Sequence, residues 1–170
     1  SSVCVSNFQP IYRSVCRLEA RGCRRVGVIG GLPHLSTTQE RISAYREAVA
    51  DCGLTQDEGL IQYRGDSIKD SAPVCLDRLL ERGCDGILIC QGLMASMTLA
   101  HLRKRGLQPG RDLSLVSFVD YDVQSYEFYY EEVDCIIQPV EELGRVAGEQ
   151  ILCRIENPDS PVFEKVLTSV

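Results

Sequence analysis

No two of the nine cysteines stand at the two-residue gap that zinc and redox sites favour. Their number is odd and their spacing wide. They are therefore expected to be reduced, small apolar residues of a core in a reducing compartment, which argues for a cytoplasmic protein. A basic excess is also missing, since 18 Lys and Arg face 24 Asp and Glu for a net charge of -6. Nucleic-acid binders carry a concentrated basic face that releases counterions, so this polypeptide alone is not expected to grip DNA. No uninterrupted apolar run approaches the ~20 residues that cross a bilayer. The opening Ser1-Ser2-Val3-Cys4-Val5 has no basic stretch followed by a long apolar segment, so neither a membrane partner nor an export signal is expected. The chain has no initiator methionine and begins inside a strand-like run. It is expected to be a piece of a longer protein.

What is present is enough for one sizeable core: 170 residues, 44% of them hydrophobic. Short aliphatic runs alternate with amphipathic patterns, the signature of an α/β fold with a doubly wound, mostly parallel sheet. Strands are predicted over 3–5, 25–29, 60–63, 86–90, 113–119 and 161–167. Helices are predicted over 11–21, from Ser36 or Thr37 to the residue before Gly53, over 70–82, 94–105 and 140–155. Glu40 stands where a capping box would place it, and Pro73 is expected in the first turn of its helix. Leu143, Ala147, Ile151 and Ile155 are expected to face inward. Residues 120–134 are acidic, rich in tyrosine and too long for an ordinary connection, so they are expected to serve function or an interface.

In open α/β sheets a ligand binds beyond the carboxyl ends of the strands. The polar residues there are Asn7, Gln9, Ser36, Thr37, Arg41, Gln91 and Asp120, a set suited to a polar, oxygen-rich small molecule. Gly27, Gly30 and Gly31 match neither the dinucleotide fingerprint nor the P-loop, and no nucleotide cofactor is expected. Cys90 and His34 could be paired as nucleophile and base, but no third orienting group stands at a recognisable spacing, so no catalytic residue is assigned. His101 lies in a helix beside Arg103 and Lys104, where an exposed position is expected, and no metal site is assigned.

Taken together, several segments resemble the effector domain of the lac-repressor family of transcription regulators over nearly the whole chain. These are Gly22-Cys23-Arg24-Arg25-Val26-Gly27, Arg41-Ile42-Ser43-Ala44-Tyr45, Gln91-Gly92-Leu93-Met94-Ala95, Asp112-Leu113-Ser114-Leu115-Val116-Ser117-Phe118-Val119-Asp120 and Gln138-Pro139-Val140-Glu141-Glu142-Leu143-Gly144-Arg145. The resemblance implies a periplasmic-binding-protein-like fold of two α/β subdomains with the effector in the cleft between them. Residues 1–23 and 138–158 would be part of the N-terminal subdomain, and 24–137 with 159–170 the C-terminal one. The DNA-binding head would lie outside this chain.

The resemblance further implies a sensing and homodimerising domain that controls DNA binding through ligand-dependent rearrangement, without catalysis or cofactor. Its partners would be a sugar or related polar metabolite, a second copy, and DNA through the absent head alone. Arg41, Gln91, Asp120, Thr37, Gln9 and Gln138 are the expected ligand contacts. Arg41 stands at the family's effector-contacting arginine, while Gln91 replaces an asparagine and Val119 and Gly92 replace aspartates. Ser6 likewise departs from the family's aspartate. Helix 93–102 and residues 121–130 are the candidate dimer face. A solute-binding receptor of an uptake transporter shares this architecture and is the alternative, with a doubly wound enzyme as the third possibility.

Overall fold

The computed structural model describes residues 2–119, 133–162 and 164–169. Among the described residues, five of seven strands form one parallel sheet: β2 (Val26–Gly30), β3 (Ile61–Tyr63), β4 (Gly86–Ile89), β5 (Ser114–Val119) and β6 (Asp134–Ile137), in the order β3-β2-β4-β5-β6. In-register pairs such as Val28 with Leu88 and Leu88 with Val116 align the strand ends. Because side chains alternate along a strand, each β run supplies two opposite apolar faces. Val26, Val28, Leu88, Cys90, Val116, Phe118 and Ile136 face α1 (Phe8–Ala20) and α2 (Ser36–Asp51). Ile29, Ile87, Ile89 and Leu115 face α3 (Ile68–Glu81) and α4 (Gly92–Lys104). Burial on both faces explains why these strands read as continuous apolar runs. The α/β, doubly wound expectation is borne out.

Local chemistry sets the element ends. Gly22 and Gly53 close α1 and α2 with φ of +98° and +65°, a region that L side chains rarely adopt. Entry to β2 is pinned by Asp85, whose carboxylate accepts the backbone N–H groups of Arg24 at 2.8 Å and Arg25 at 2.9 Å. Ser67 caps α3 by accepting from the Asp70 N–H, so that helix starts earlier than predicted. Pro73 consequently lies beyond its first turn, inside the helix. At α2 the N-cap position is Leu35, whose side chain has no acceptor, and the Glu40 carboxylate accepts from Asn7 instead. The expected capping box is absent there.

A second, smaller layer consists of β1 (Ser2–Val5) and β7 (Glu164–Leu167), paired in parallel, with α5 (Val140–Glu156) against them. Two expectations change here. The amphipathic stripe Ile11, Val15 and Leu18 on α1 is fully buried against the five-stranded sheet, so α1 packs with the larger unit although it lies within residues 1–23. Residues 164–167 pair with β1, away from the larger sheet to which 159–170 had been assigned.

Along α5 only Val146 is buried, while Ile151 and Ile155 are 61% and 70% exposed, contrary to the inward face expected for them. The two-stranded layer is too narrow to cover that face. An open hollow of about 500 Å³ runs between Ser2, Val3, Ala147, Ile151 and Ile155.

Strand β6 is not among the predicted strands, and it begins at Asp134, the last residue of the stretch read as one long connection. The acidic, tyrosine-rich segment 120–132 lies outside the described residues. Of the cysteines, Cys23, Cys75, Cys84 and Cys90 are buried, as expected of apolar core residues, whereas Cys4 and Cys153 are exposed. Among the described residues no helix is long and apolar enough to cross a membrane.

Candidate functional site

The carboxyl ends of β2 and β4 lead into Gly30-Gly31 and Cys90-Gln91, and the end of β1 leads into Ser6-Asn7 at the start of α1. Parallel pairing puts the β2 and β4 turns at one edge, and Arg41 from the N-terminal half of α2 joins the Asn7 turn to them. Arg41 is the hub. Its Nε donates to Asn7 Oδ1 at 2.8 Å and its Nη1 donates to the Cys90 carbonyl at 2.5 Å. The guanidinium carbon lies 3.8 Å from the Phe118 ring centroid, so the planar cation stacks on a fully buried aromatic face. Asn7, itself buried, uses its Nδ2 to donate to Glu40 Oε2 at 3.0 Å. Glu40, Asn7 and Arg41 thus form an acid–amide–base chain that fixes the guanidinium with two of its edges occupied.

Gln91 sits at the N-cap of α4, in extended conformation. Its Oε1 is buried and without a hydrogen-bond partner among the described residues. A buried amide oxygen left unpaired forfeits about 1–3 kcal/mol, so its orientation marks a place where a donor is wanted. Gly31 makes the approach possible. A Cβ at Gly31 would stand 2.7 Å from Thr38 Oγ1 and 3.7 Å from the Gln91 amide group. The unsubstituted backbone, the buried Thr38 and the Gln91 amide therefore crowd one spot beside the Arg41 hub.

The six expected contacts are distributed unevenly. Arg41 and Gln91 come together through the Cys90-Gln91 turn. Thr37 is exposed, and its neighbour Thr38 is the residue turned inward, because Thr38 shares the buried face of α2 with Ile42, Tyr45 and Val49 and lies against Gly31. Gln9 is exposed on the first turn of α1 and lines a different hollow of about 280 Å³ with Arg13, Asp134 and Ser169. Gln138 follows β6, half-buried, with its backbone N–H donating to the Val119 carbonyl at 3.3 Å. Asp120 lies outside the described residues.

Glu40, Thr38 and Phe118 were not picked out from the sequence. Glu40 carried a plausible capping role, and Phe118 was indistinguishable from any core aromatic within an apolar strand. Only the alternation along β5, which puts Phe118 on the α2 side, could have found it.

The thiol pairing considered for Cys90 fails on its surroundings. Burial pushes the Cys90 thiol up to about 12, with the nearby Arg41 only partly offsetting it. A neutral, inaccessible thiol is no nucleophile. His101 is not exposed but half-buried, and its Nε2 is 3.0 Å from Asp77 Oδ1. Among the described residues no cluster of three or more His, Cys, Asp or Glu could hold a metal ion. On α4, Met94, Ala95, Leu99 and Leu102 are core, leaving Leu93 as its exposed large apolar residue. The candidate dimer face is to that extent part of the interior, and residues 121–130 lie outside the described ones.

Residues 15–169 match the family described as a periplasmic binding protein-like domain. The chain is 30% identical over 169 residues to the HTH-type transcriptional regulator CelR of Thermobifida fusca, covering 98% of this chain and 49% of that protein. It is 26% identical over 148 residues to the HTH-type transcriptional repressor CytR of Escherichia coli strain K12, covering 86% and 42%. It spans about half the length of these curated relatives.

Among solved structures, the transcriptional regulator CelR–cellobiose complex superposes with a TM-score of 0.87 at 27% identity, covering 100% of this chain and 52% of the other. A LacI family transcriptional regulator from Enterococcus faecium with bound ribose shares the fold, with a TM-score of 0.87 at 20% identity and coverage of 99% and 62%. These relatives are regulators, which favours the effector-domain reading over an uptake receptor or an enzyme. The resemblance to lac-repressor effector domains is thus borne out, and the chain belongs to the periplasmic binding protein-like domain family.

Proposed function

We propose that this chain is the effector-sensing part of a cytoplasmic transcription regulator, binding a sugar or related polar metabolite at the turns that follow β2 and β4. The observation that carries the reading is the buried, unpartnered Gln91 Oε1 beside the Arg41 hub, at the strand-end edge where α/β folds place ligands. The relatives support it, since CelR is named as a regulator and was solved with cellobiose.

Arg41 anchors the wall by its bonds to Asn7 and Cys90, and Gln91 offers an acceptor to a ligand hydroxyl or N–H. Gly31, without a side chain, lets Thr38 and the Gln91 amide pack beside it. Among the described residues the hydrogen-bonding groups here suit recognition of a polar ligand. Ligand binding would bias the relation of this wall to the opposite one and thereby the spacing of paired DNA-binding heads in a homodimer. DNA contact would come through a head outside this chain, a reading that suits its net charge of -6.

The test is a thermal-shift screen of the full-length protein over mono- and disaccharides, nucleosides and small acids, with Gln91→Leu as the control. A ligand that stabilises the parent and fails on Gln91→Leu supports the assignment. A ligand that stabilises both equally removes Gln91 from the site.

A further inference from the structure

Helices α1 and α2 lie side by side on one face of the five-stranded sheet, and two half-buried cysteines meet between them. Cys16 is on α1, Cys52 caps the C-terminus of α2, and their sulfurs are 3.0 Å apart across 36 residues of sequence. A disulfide bond is about 2.05 Å long, so the sulfurs need approach by only about 1 Å. The place is braced. One turn before Cys16, the Tyr12 hydroxyl donates at 2.8 Å to the carboxylate of Asp51, the residue preceding Cys52. That bond holds the two helices in register at the level of the thiols.

We propose that Cys16 and Cys52 are an oxidation site, joined as a disulfide when the protein meets a low-molecular-weight disulfide. The Cys52 thiol is pushed up to about 12 by burial and by its hydrogen bond to Cys16, which makes it a poor first nucleophile and leaves the first exchange to Cys16. Cys16 loses its proton to water and attacks one sulfur of the small disulfide. That S–S bond breaks, and the small thiolate released takes up a proton. Cys52 then gives up its proton and attacks the Cys16 sulfur of the mixed disulfide, expelling the second small thiolate, which is protonated in turn. Two protein thiols are oxidised and one small disulfide is reduced to two thiols.

The other ends of these helices hold Asn7, Glu40 and Arg41 in their hydrogen-bonded chain. A covalent link between α1 and α2 would therefore fix the spacing of the elements that build the candidate site. This holds whatever ligand, if any, the site takes.

The experiment uses the full-length protein carrying Cys4→Ser and Cys153→Ser, which removes the two exposed thiols of this chain. It is incubated in native buffer with oxidised glutathione, quenched with iodoacetamide and digested for mass spectrometry. The expected result is a peptide pair joined through Cys16 and Cys52, released by dithiothreitol and missing when Cys16→Ser is added. Should the double variant misfold, the same digest of the parent protein decides. Recovery of Cys16 and Cys52 as separate alkylated or glutathionylated peptides overturns the proposal.

Discussion

Asn7 and Arg41 are joined end to end: the Asn7 side-chain oxygen accepts from Arg41 Nε at 2.8 Å, and the amide nitrogen of the same side chain donates to Glu40 at 3.0 Å. A short polar residue between β1 and α1 thus orients a cation on α2, across 34 residues of sequence. Asn7→Ala removes the link between Glu40 and Arg41 at a buried position. It is expected to cost about 1–3 kcal/mol in urea unfolding. Asn7→Asp is expected to keep the Arg41 bond but set a carboxylate against Glu40, giving a loss that grows as pH rises through the carboxylate range.

Phe118 carries the same hub from below. Phe118→Leu keeps most of the buried volume and removes the ring under the guanidinium, an expected loss of about 1–2 kcal/mol from cation–π and packing together. Phe118→Ala adds a cavity and is expected to cost about 3–5 kcal/mol. Chemical denaturation of the two variants checks the ordering. A loss near zero in Phe118→Leu would mean that the ring's electrostatic face contributes nothing.

Gly31→Ala places a methyl group 2.7 Å from Thr38 Oγ1, and Thr38 is buried. Strain of about 1–3 kcal/mol is expected in chemical denaturation, from the Thr38 clash alone. Pairing with Thr38→Ser, which keeps the hydroxyl, should not restore stability. Thr38→Ala should restore part of it.

Alkaline stability follows from the buried thiols. Burial raises both Cys84 and Cys90 from 9.0 to about 12. The folded state therefore prefers the neutral thiols more strongly than the unfolded chain does. That preference is fully present below pH 9 and is lost as pH rises toward about 12. Urea midpoints measured across that range are expected to fall, and to fall less in Cys84→Ala and Cys90→Ala. Native protein at pH 8 should also show Cys4 and Cys153 reacting with a thiol reagent, while Cys90 reacts only after unfolding.

Much of this was legible from residue order. The runs around Val28, Leu88 and Val116 announced buried parallel strands, and Arg41 and Gln91 stood at strand ends where the topology brings them together. What escaped the sequence has physical causes. The helix starts at Ser36, one of the two starts expected, yet it is Thr38 and not Thr37 that faces Gly31, a choice between adjacent threonines that composition does not resolve. Glu40 suited a local cap as well as a distant amide, and only the packing of α1 beside α2 decided between them. On α5 the apolar spacing of Ile151 and Ile155 was real, yet burial needs an opposing surface, and the narrow β1–β7 layer provides none for them.

The central claim is that a small polar ligand is recognised by the unpaired Gln91 oxygen beside Arg41. It is tested most directly by calorimetric titration of a ligand identified in the stability screen into full-length protein and its Gln91→Leu variant. Loss of one buried hydrogen-bond partner predicts binding weaker by about 5- to 150-fold at unchanged fold. An identical Kd for the two proteins would contradict it.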